Sequence, residues 1–335
     1  MNKKSVITIR DIAREANVSA STVSRVLNNT TAVTENKRQA VLEAVKKLNY
    51  RPNIIAQGLV RGQSMAIGIL TQDLASPFYG GMHQGIEQGL STSGYQPLFV
   101  SGNWTPSKEI EALDMLVQRQ VDGLIIMAGT VLDERIRQIA ERMPLVVVGG
   151  RLKDLEKQCL QIDNQKAAYT ATQHLIELGH RRIVHITGMP THPDAIKRKQ
   201  GYEQALNEAD IEIDPTLIIE GTFRRRSGLF AIETLLTRGT QFSAIFAAND
   251  QITNGVYLAL FRRGIRIPDD VSIVGFDDQR YSAYMSPPLT TIYHPIVEMG
   301  VAAAKAVITL INGEPINLPV PSTKLVIRES TGIYK

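Results

Sequence analysis

From residue 65 onward the chain alternates short apolar runs with amphipathic stretches, and few architectures accommodate that pattern. The runs fall at 66–71, 97–100, 123–127, 145–148, 183–187, 244–247 and 272–276, with a weaker one at 217–220. They are apolar throughout rather than alternating, which describes strands buried on both faces. Between them, 80–93, 109–119, 167–178 and 254–263 carry apolar residues at helical spacing. Strand, helical crossover and strand again make a parallel sheet covered on both sides. The number of runs suits two such sheets better than one, so the pattern predicts an α/β body of two doubly wound lobes. Ligands of such sheets bind beyond the carboxyl ends of the strands, which directs attention to the loop after each run.

The first 50 residues have only helical patterning. Thr8 is placed to cap a helix through Ala16, with Ile9, Ile12, Ala13 and Ala16 on one face. Asn17 tolerates the left-handed backbone that ends such a helix. Ser19 can cap a second helix carrying Val23, Val26 and Leu27, and Thr34 a third carrying Val41, Ala44, Val45 and Leu48. Three short helices with a tight turn between the first two predict a helix-turn-helix head. Pro52 stops the third helix, and the stretch 53–61 is helix-capable but too short to be stable alone.

Charge divides along the same line. Residues 1–62 hold 11 Lys and Arg against 4 Asp and Glu, leaving 26 against 29 in the remainder. A basic head on a slightly acidic body fits a polyanion-binding module joined to a sensor, or simply a solvated basic face.

Other classes are excluded on residue grounds. No uncharged apolar run reaches 18 residues, so no membrane span is expected. Arg10, Asp11, Arg14 and Glu15 interrupt any export signal, and a cytoplasmic protein is expected. The single cysteine, Cys159, allows no internal disulfide and reads as an incidental thiol. No Gly-x-Ser-x-Gly elbow, Walker loop, dinucleotide fingerprint or metal triad is present, so neither an enzyme nor a cofactor is expected. His192 and Asp194 alone do not make a metal site.

The stretch from Asp11 to Asn28, DIAREANVSASTVSRVLN, followed by Asn49-Tyr-Arg-Pro-Asn53, resembles the LacI/GalR family of bacterial transcription regulators. The resemblance continues over nearly the whole chain. It implies a DNA-binding head at 1–51, a hinge helix at 52–63 and an effector-binding, dimerising body at 64–335. The body would form an N-lobe of about 64–163 and 294–323 and a C-lobe of about 164–293 and 324–335. The family usually has Gly where Asn17 stands, and Asn preserves the turn. Ala20, Ser21 and Arg25 match base-reading positions. Ala20 can only touch a thymine methyl, whereas Arg25 can bond guanine or phosphate. Thr8, Ser19, Thr22, Ser24 and Asn28 match phosphate contacts that fix register, although capping explains Ser19 equally well. Tyr50, Asn53 and Ala56 complete the implied DNA contacts. Leu59 matches the leucine that wedges into a central base step of the minor groove. Two hinge helices are needed for that wedge, so a homodimer on a pseudo-palindromic double-stranded operator is implied.

The body then resembles the sugar-binding part of the same family, which shares the fold of periplasmic sugar-binding proteins. Phe78, and Ser76 less specifically, match the loop after the first strand of the body. Arg198 matches an arginine that forks onto the effector, and Asp194 either orients it or meets the ligand itself. Phe223 matches an aromatic stacked on the sugar. Asn249 matches an amide that bonds hydroxyls, with Asp250 read as a cap of the next helix. Asp277 matches an effector-bonding acid and Asp278 its local partner. The chain departs from the pattern at Gly149-Gly150-Arg151, where relatives carry Asp or Asn before Arg, and this removes one expected hydroxyl reader. Trp104, the only tryptophan, either stacks on a second sugar ring or packs at the rim. Arg224-Arg225-Arg226 reads as a solvated run, or as a partner for a phosphorylated effector.

The resulting expectation is a repressor-type regulator whose operator affinity follows a small sugar. Two readings stay open beside it: the same regulator answering a non-sugar metabolite, and a non-regulatory periplasmic-type sugar-binding protein. The sign of the response, inducer or corepressor, is not legible.

Overall fold

A computed structural model of the chain describes residues 7–28, 33–50, 62–127, 129 and 133–335. The chain divides between Ser64 and Met65 into two compact units, each considered by itself.

The head holds α1 (Ile9–Glu15), α2 (Ala20–Asn28) and α3 (Glu35–Lys47). The Asp11 carboxylate accepts from both the backbone N–H and the hydroxyl of Thr8, which locks the start of α1. Asn17 then adopts φ 50°, and the Val18 N–H returns to the Ala13 carbonyl at 3.0 Å, so the chain reverses as expected. Ser19 Oγ accepts from the Thr22 N–H at 3.1 Å and caps α2. Thr34 holds the N-cap position of α3, but its side chain makes no capping bond, contrary to expectation. Ile12, Val23 and Val41, one from each helix, are fully buried together with Ala13 and Ala44.

The body contains two sheets, each flanked by helices. In the first, β1 (Ala66–Thr71), β2 (Gln96–Ser101), β3 (Gly123–Met127), β4 (Leu145–Val148) and β5 (Cys159–Leu160) lie in the order β2-β1-β3-β4-β5, all parallel. In the second, β6 (Ile183–Ile186), β7 (Ile218–Ile219), β8 (Ala244–Ala247), β9 (Ser272–Asp277), β10 (Thr290–Tyr293) and β11 (Lys324–Val326) lie in the order β11-β10-β9-β8-β6-β7. Only β11 runs antiparallel to its neighbour. This is the doubly wound α/β architecture that the alternating pattern predicted.

The helices are α4 (Pro77–Leu90), α5 (Pro106–Gln118), α6 (Asp133–Ala140), α7 (Asn164–Glu177), α8 (Pro193–Glu208), α9 (Arg225–Thr237), α10 (Asp250–Arg262) and α11 (Ile296–Ile311). Several begin three or four residues before the start that their apolar stripes suggest. Pro77 and Pro106 explain two cases, because a proline at the first helical position is preset in φ and lacks only an N–H that would go unbonded there.

Three strands escaped the pattern. β5 is two residues long and β11 is a half-exposed edge. β10 is buried but opens Thr290-Thr291, which reads as polar until their partners are seen. The Thr291 hydroxyl donates to Asp250 at 2.7 Å, and the Thr290 N–H donates to Ser330 Oγ at 2.8 Å. The chain passes between the lobes after β5, between β10 and α11, and between α11 and β11, since α11 packs on α4, β3 and β4.

Candidate functional site

A cavity of about 230 Å³ lies between the two lobes of the body. Its walls come from residues just past the carboxyl ends of strands in both sheets: Asp73 and Ser76 after β1, Gly149 after β4, Met189 after β6, Asn249 after β8 and Asp277 at the end of β9. The sequence-predicted residues Ser76, Phe78, Asp194, Phe223, Asn249 and Asp277 all line it.

Aromatic groups form much of the wall. Phe78 sits edge-on to Tyr79 at 5.2 Å and against the His294 ring at 5.4 Å. Trp104 meets His192 at 5.0 Å, and His192 meets Phe223 at 5.3 Å, both edge to face. Trp104 thus faces the cavity rather than sitting apart at the rim. Burial pulls the His192 pKa below its ordinary value, and burial pushes the Tyr79 phenol well up, so both are neutral. Phe223 holds a left-handed φ of 60° with its ring over Gly188; a Cβ there would stand 2.0 Å from the ring. Only glycine lets the aromatic lie so close.

Polar groups are fixed by one another. Asn164 Nδ2 donates to Asp194 Oδ1 at 3.0 Å, and Asn164 Oδ1 accepts from Arg198 Nε at 2.8 Å. Arg198 Nη1 donates to the Ala248 carbonyl at 2.5 Å and lies 3.8 Å from Asp277 Oδ1, while the guanidinium covers the Phe276 ring at 3.6 Å. Burial draws the Arg198 pKa down against the pull of Asp277, Asp194 and Asp250, but an arginine stays cationic. Arg198 is itself buried and is not among the lining residues, in contrast to the direct fork onto ligand that the sequence suggested. It stands behind the wall and holds Asn164 in place, with Asp277 close by.

The capping roles at β8 are exchanged relative to expectation. Asn249, not Asp250, caps α10: its Oδ1 accepts from the Ile252 N–H at 2.9 Å while its Nδ2 donates to the Phe223 carbonyl at 3.1 Å. Asp250 is fully buried and ties three segments together, accepting from the Gln279 N–H at 2.8 Å, Ser282 Oγ at 2.6 Å and Thr291 Oγ1 at 2.7 Å. Burial and then the nearby Asp277 charge lift its pKa to about 7. Asp278 accepts from Arg328 Nη2 at 2.7 Å, the local structural role expected of it.

Polar contacts also join the two lobes. Gln251 Nε2 donates to Ser76 Oγ at 3.0 Å, and Arg224 lies 3.7 Å from Asp73. Arg224 alone of the three-arginine run lines the cavity. Sequence reasoning passed over Asn164, Gln251, Thr222 and His294. Asn164 follows β5 and His294 follows β10, two strands with no apolar run of their own to point to the loops after them. Among the described residues no cluster of three His, Cys, Asp or Glu side chains is arranged to hold a metal.

In the head, α2 displays Ala20, Ser21 and Arg25 exposed, with Ser21 and Arg25 four residues apart on one face. Thr22 and Ser24 are half-buried, Thr8 is exposed at the start of α1, and Asn28 ends α2. Ser19 bonds the hydroxyls of Ser21 and Thr22, both at 2.8 Å. Tyr50 packs on the head's core. Asn53, Ala56 and Leu59 lie outside the described residues.

Residues 8–53 match the model of the bacterial regulatory proteins of the lacI family, and residues 172–331 match the periplasmic binding protein-like domain. Catabolite control protein A of Priestia megaterium is 32% identical over 97% of this chain and 99% of its own. The chain belongs to the lacI family. The ribose operon repressor of Haemophilus influenzae is 35% identical over 96% of this chain and 98% of its own. Among solved structures, the lac repressor dimer bound to operator and an anti-inducer aligns at a TM-score of 0.87, 28% identity and 97% coverage of this chain, 99% of that one. A complex of the transcriptional regulator CelR with cellobiose aligns at 0.71, 33% identity and coverages of 97% and 99%. The relatives of this lacI-family chain are regulators, not enzymes. No helix among its described residues is long and apolar enough to cross a membrane.

Proposed function

We propose that this lacI-family chain is a homodimeric repressor that binds a pseudo-palindromic double-stranded operator and is switched by a small neutral sugar. The observation that carries the sugar assignment is the make-up of the cleft. Aromatic faces of Phe78, Trp104 and Phe223 share it with the planar polar groups of Asn164, Asp194, Asn249 and Asp277. Apolar C–H faces of a sugar ring stack on the former, and its hydroxyls bond the latter. The relatives support the same reading, since one is a ribose operon repressor and another is a regulator in complex with cellobiose.

In this reading α2 enters the major groove with Ser21 and Arg25 toward base edges, while Thr8, Ser19, Thr22, Ser24, Asn28, Tyr50 and Asn53 contact the backbone. Ala20 lies against a base, and Leu59, with Ala56 beside it, wedges into the minor groove from the hinge at 52–63. Effector binding changes the relation of the two lobes, and the dimer passes that change to the hinges as a shift between two states of unequal sugar affinity.

The test has two arms on the full-length chain. Selection of bound duplexes from a random pool recovers one pseudo-palindrome. Calorimetry with ribose, galactose, cellobiose and a wider saccharide panel then gives heat for at least one, and that sugar changes operator affinity at least tenfold. An unenriched pool discards the regulator reading for the head. An enriched operator with heat only from a non-sugar metabolite leaves a regulator with a different effector.

A further inference from the structure

We propose that Gln72 is a positioning residue for the cleft: its buried amide holds Trp104 in a strained backbone conformation that carries the indole across to the opposite lobe. The inference rests on the reading of the cleft as the effector site and adds the side chain on which one wall of it depends.

Gln72 is the residue after β1 and is fully buried. β1 pairs with β2 as far as Thr71 opposite Ser101. Past that pair the bonding continues into the loop. The Gly102 N–H donates to the Thr71 carbonyl at 2.8 Å, and the Asn103 N–H to the Gln72 carbonyl at 3.1 Å. The Ser101 hydroxyl donates to the same Gln72 carbonyl at 2.8 Å. The next N–H along, that of Trp104, meets the side chain instead and donates to Gln72 Oε1 at 3.1 Å. The other end of the amide, Nε2, donates to the Met127 carbonyl at 3.3 Å. One end must accept and the other donate, so a carboxamide fits where a carboxylate or an aliphatic chain leaves a partner unbonded. Two glycines make room for it. A Cβ at Gly129 would stand 2.2 Å from Nε2, and one at Gly102 would stand 3.2 Å from Oε1.

Asn103 and Trp104 hold φ of 51° and 57° in succession. Asparagine adopts this conformation readily; a bulky residue such as tryptophan keeps it only where its surroundings enforce it. The Gln72 side chain supplies that constraint at the Trp104 N–H itself. The consequence is directional. Trp104 lines the cavity and meets His192 edge to face at 5.0 Å. Trp104 follows β2 of the first sheet, whereas His192 is the N-cap of α8, after β6 of the second. The indole is thus a group of one lobe resting on a group of the other. Gln72 is not among the residues lining the cavity, so its influence on an occupant passes through the indole.

Trp104 is the only tryptophan, so its fluorescence in the unliganded full-length chain tests the assignment directly. Gln72→Met keeps the side-chain length and removes both hydrogen bonds. It should move the emission and make iodide quench it at least twice as steeply, while circular dichroism keeps the wild-type fold. His192→Asn, whose amide oxygen keeps the α8 cap, should move the emission of the wild type but not that of Gln72→Met. Should Gln72→Met fail to fold, Gly129→Ala carries the same test, because its Cβ displaces the amide without deleting it. Wild-type emission and quenching in a folded Gln72→Met or Gly129→Ala chain overturns the proposal, as does an equal His192→Asn effect in both backgrounds. Calorimetry with ribose, galactose and cellobiose adds the functional arm. A sugar that binds the wild type should lose about tenfold in affinity in Gln72→Met, the equivalent of one buried hydrogen bond. In a Trp104→Ala background the same change should cost nothing further. Additive losses refute positioning through the indole. If no saccharide binds the wild type, the sugar reading of the cleft fails, and the unliganded spectra alone decide the role of Gln72.

Discussion

Replacing Asp250 by asparagine isolates the energetics of the group that braces the cleft. The carboxyl is fully buried and receives three hydrogen bonds, from Gln279 N–H, Ser282 Oγ and Thr291 Oγ1. An asparagine oxygen can accept from Gln279 and Ser282, and its NH2 can donate to Thr291 Oγ1 once that hydroxyl rotates, so Asp250→Asn leaves no partner unbonded. The two side chains differ in titration. Burial, reinforced by Asp277, holds the Asp250 pKa at about 7 in the folded chain, against 3.8 for the unfolded one. Between those values the folded state binds the extra proton, so stability falls as pH rises. The slope is ~1.4 kcal/mol per pH, and from pH 5 to pH 7 the wild type should lose roughly 2–3 kcal/mol relative to Asp250→Asn. Below pH 4 the two should converge. Trp104, the only tryptophan, lies in the same body, so its fluorescence in urea titrations reports the unfolding of this unit. Histidines titrate over part of the same range in both proteins and cancel in the difference. A stability difference that does not vary with pH would show that the carboxylate stays ionised and that its hydrogen bonds outweigh burial.

Arg198→Leu should destabilise the body by about 3–5 kcal/mol, because it strips the donors from Asn164 and the Ala248 carbonyl and removes the cation nearest Asp277; a loss under ~1 kcal/mol in the same urea titration would refute this. Gly255→Ala should cost several kcal/mol, since its Cβ would stand 1.9 Å from the Arg225 carbonyl oxygen and prise α10 from α9; an unchanged melting temperature would mean that the helices separate freely. Arg25→Ala should lower affinity for a selected operator by ~1–3 kcal/mol more than for random duplex at equal salt; equal losses in a gel-shift comparison would reduce Arg25 to a phosphate contact.

The alternation of apolar runs and helical stripes was enough to predict both sheets, because a strand such as 145–148 is Leu-Val-Val-Val and has no other plausible home than a covered sheet. The head was equally readable, since Asn17 and Ser19 each have one strong local preference and both follow it. What stayed hidden was structure held together by side-chain hydrogen bonds across long separations. β10 is a buried strand only because Thr291 bonds Asp250 and Thr290 bonds Ser330, partners about 40 residues away. Nothing in a local window reports such a bond. Missing β10 meant missing His294, and missing the two-residue β5 meant missing Asn164.

The exchange of roles between Asn249 and Asp250 has the same origin. Either residue is a good helix cap, and local preference cannot choose between them. The decision is tertiary: Asp250 faces three donors from the β9–β10 region, so the cap falls to Asn249. A related signature marks the cleft as a whole. Trp104, Phe223 and Asp277 all line the cavity and all hold positive φ, 57°, 60° and 105°, although none is glycine. Such conformations cost roughly 1–3 kcal/mol each and persist only where surrounding contacts enforce them. For Phe223 the enforcing contacts are Asn249, which bonds its carbonyl, and Gly188, which leaves room for its ring. At these three cavity-lining residues the breach of local preference is what kept their geometry out of reach of the sequence.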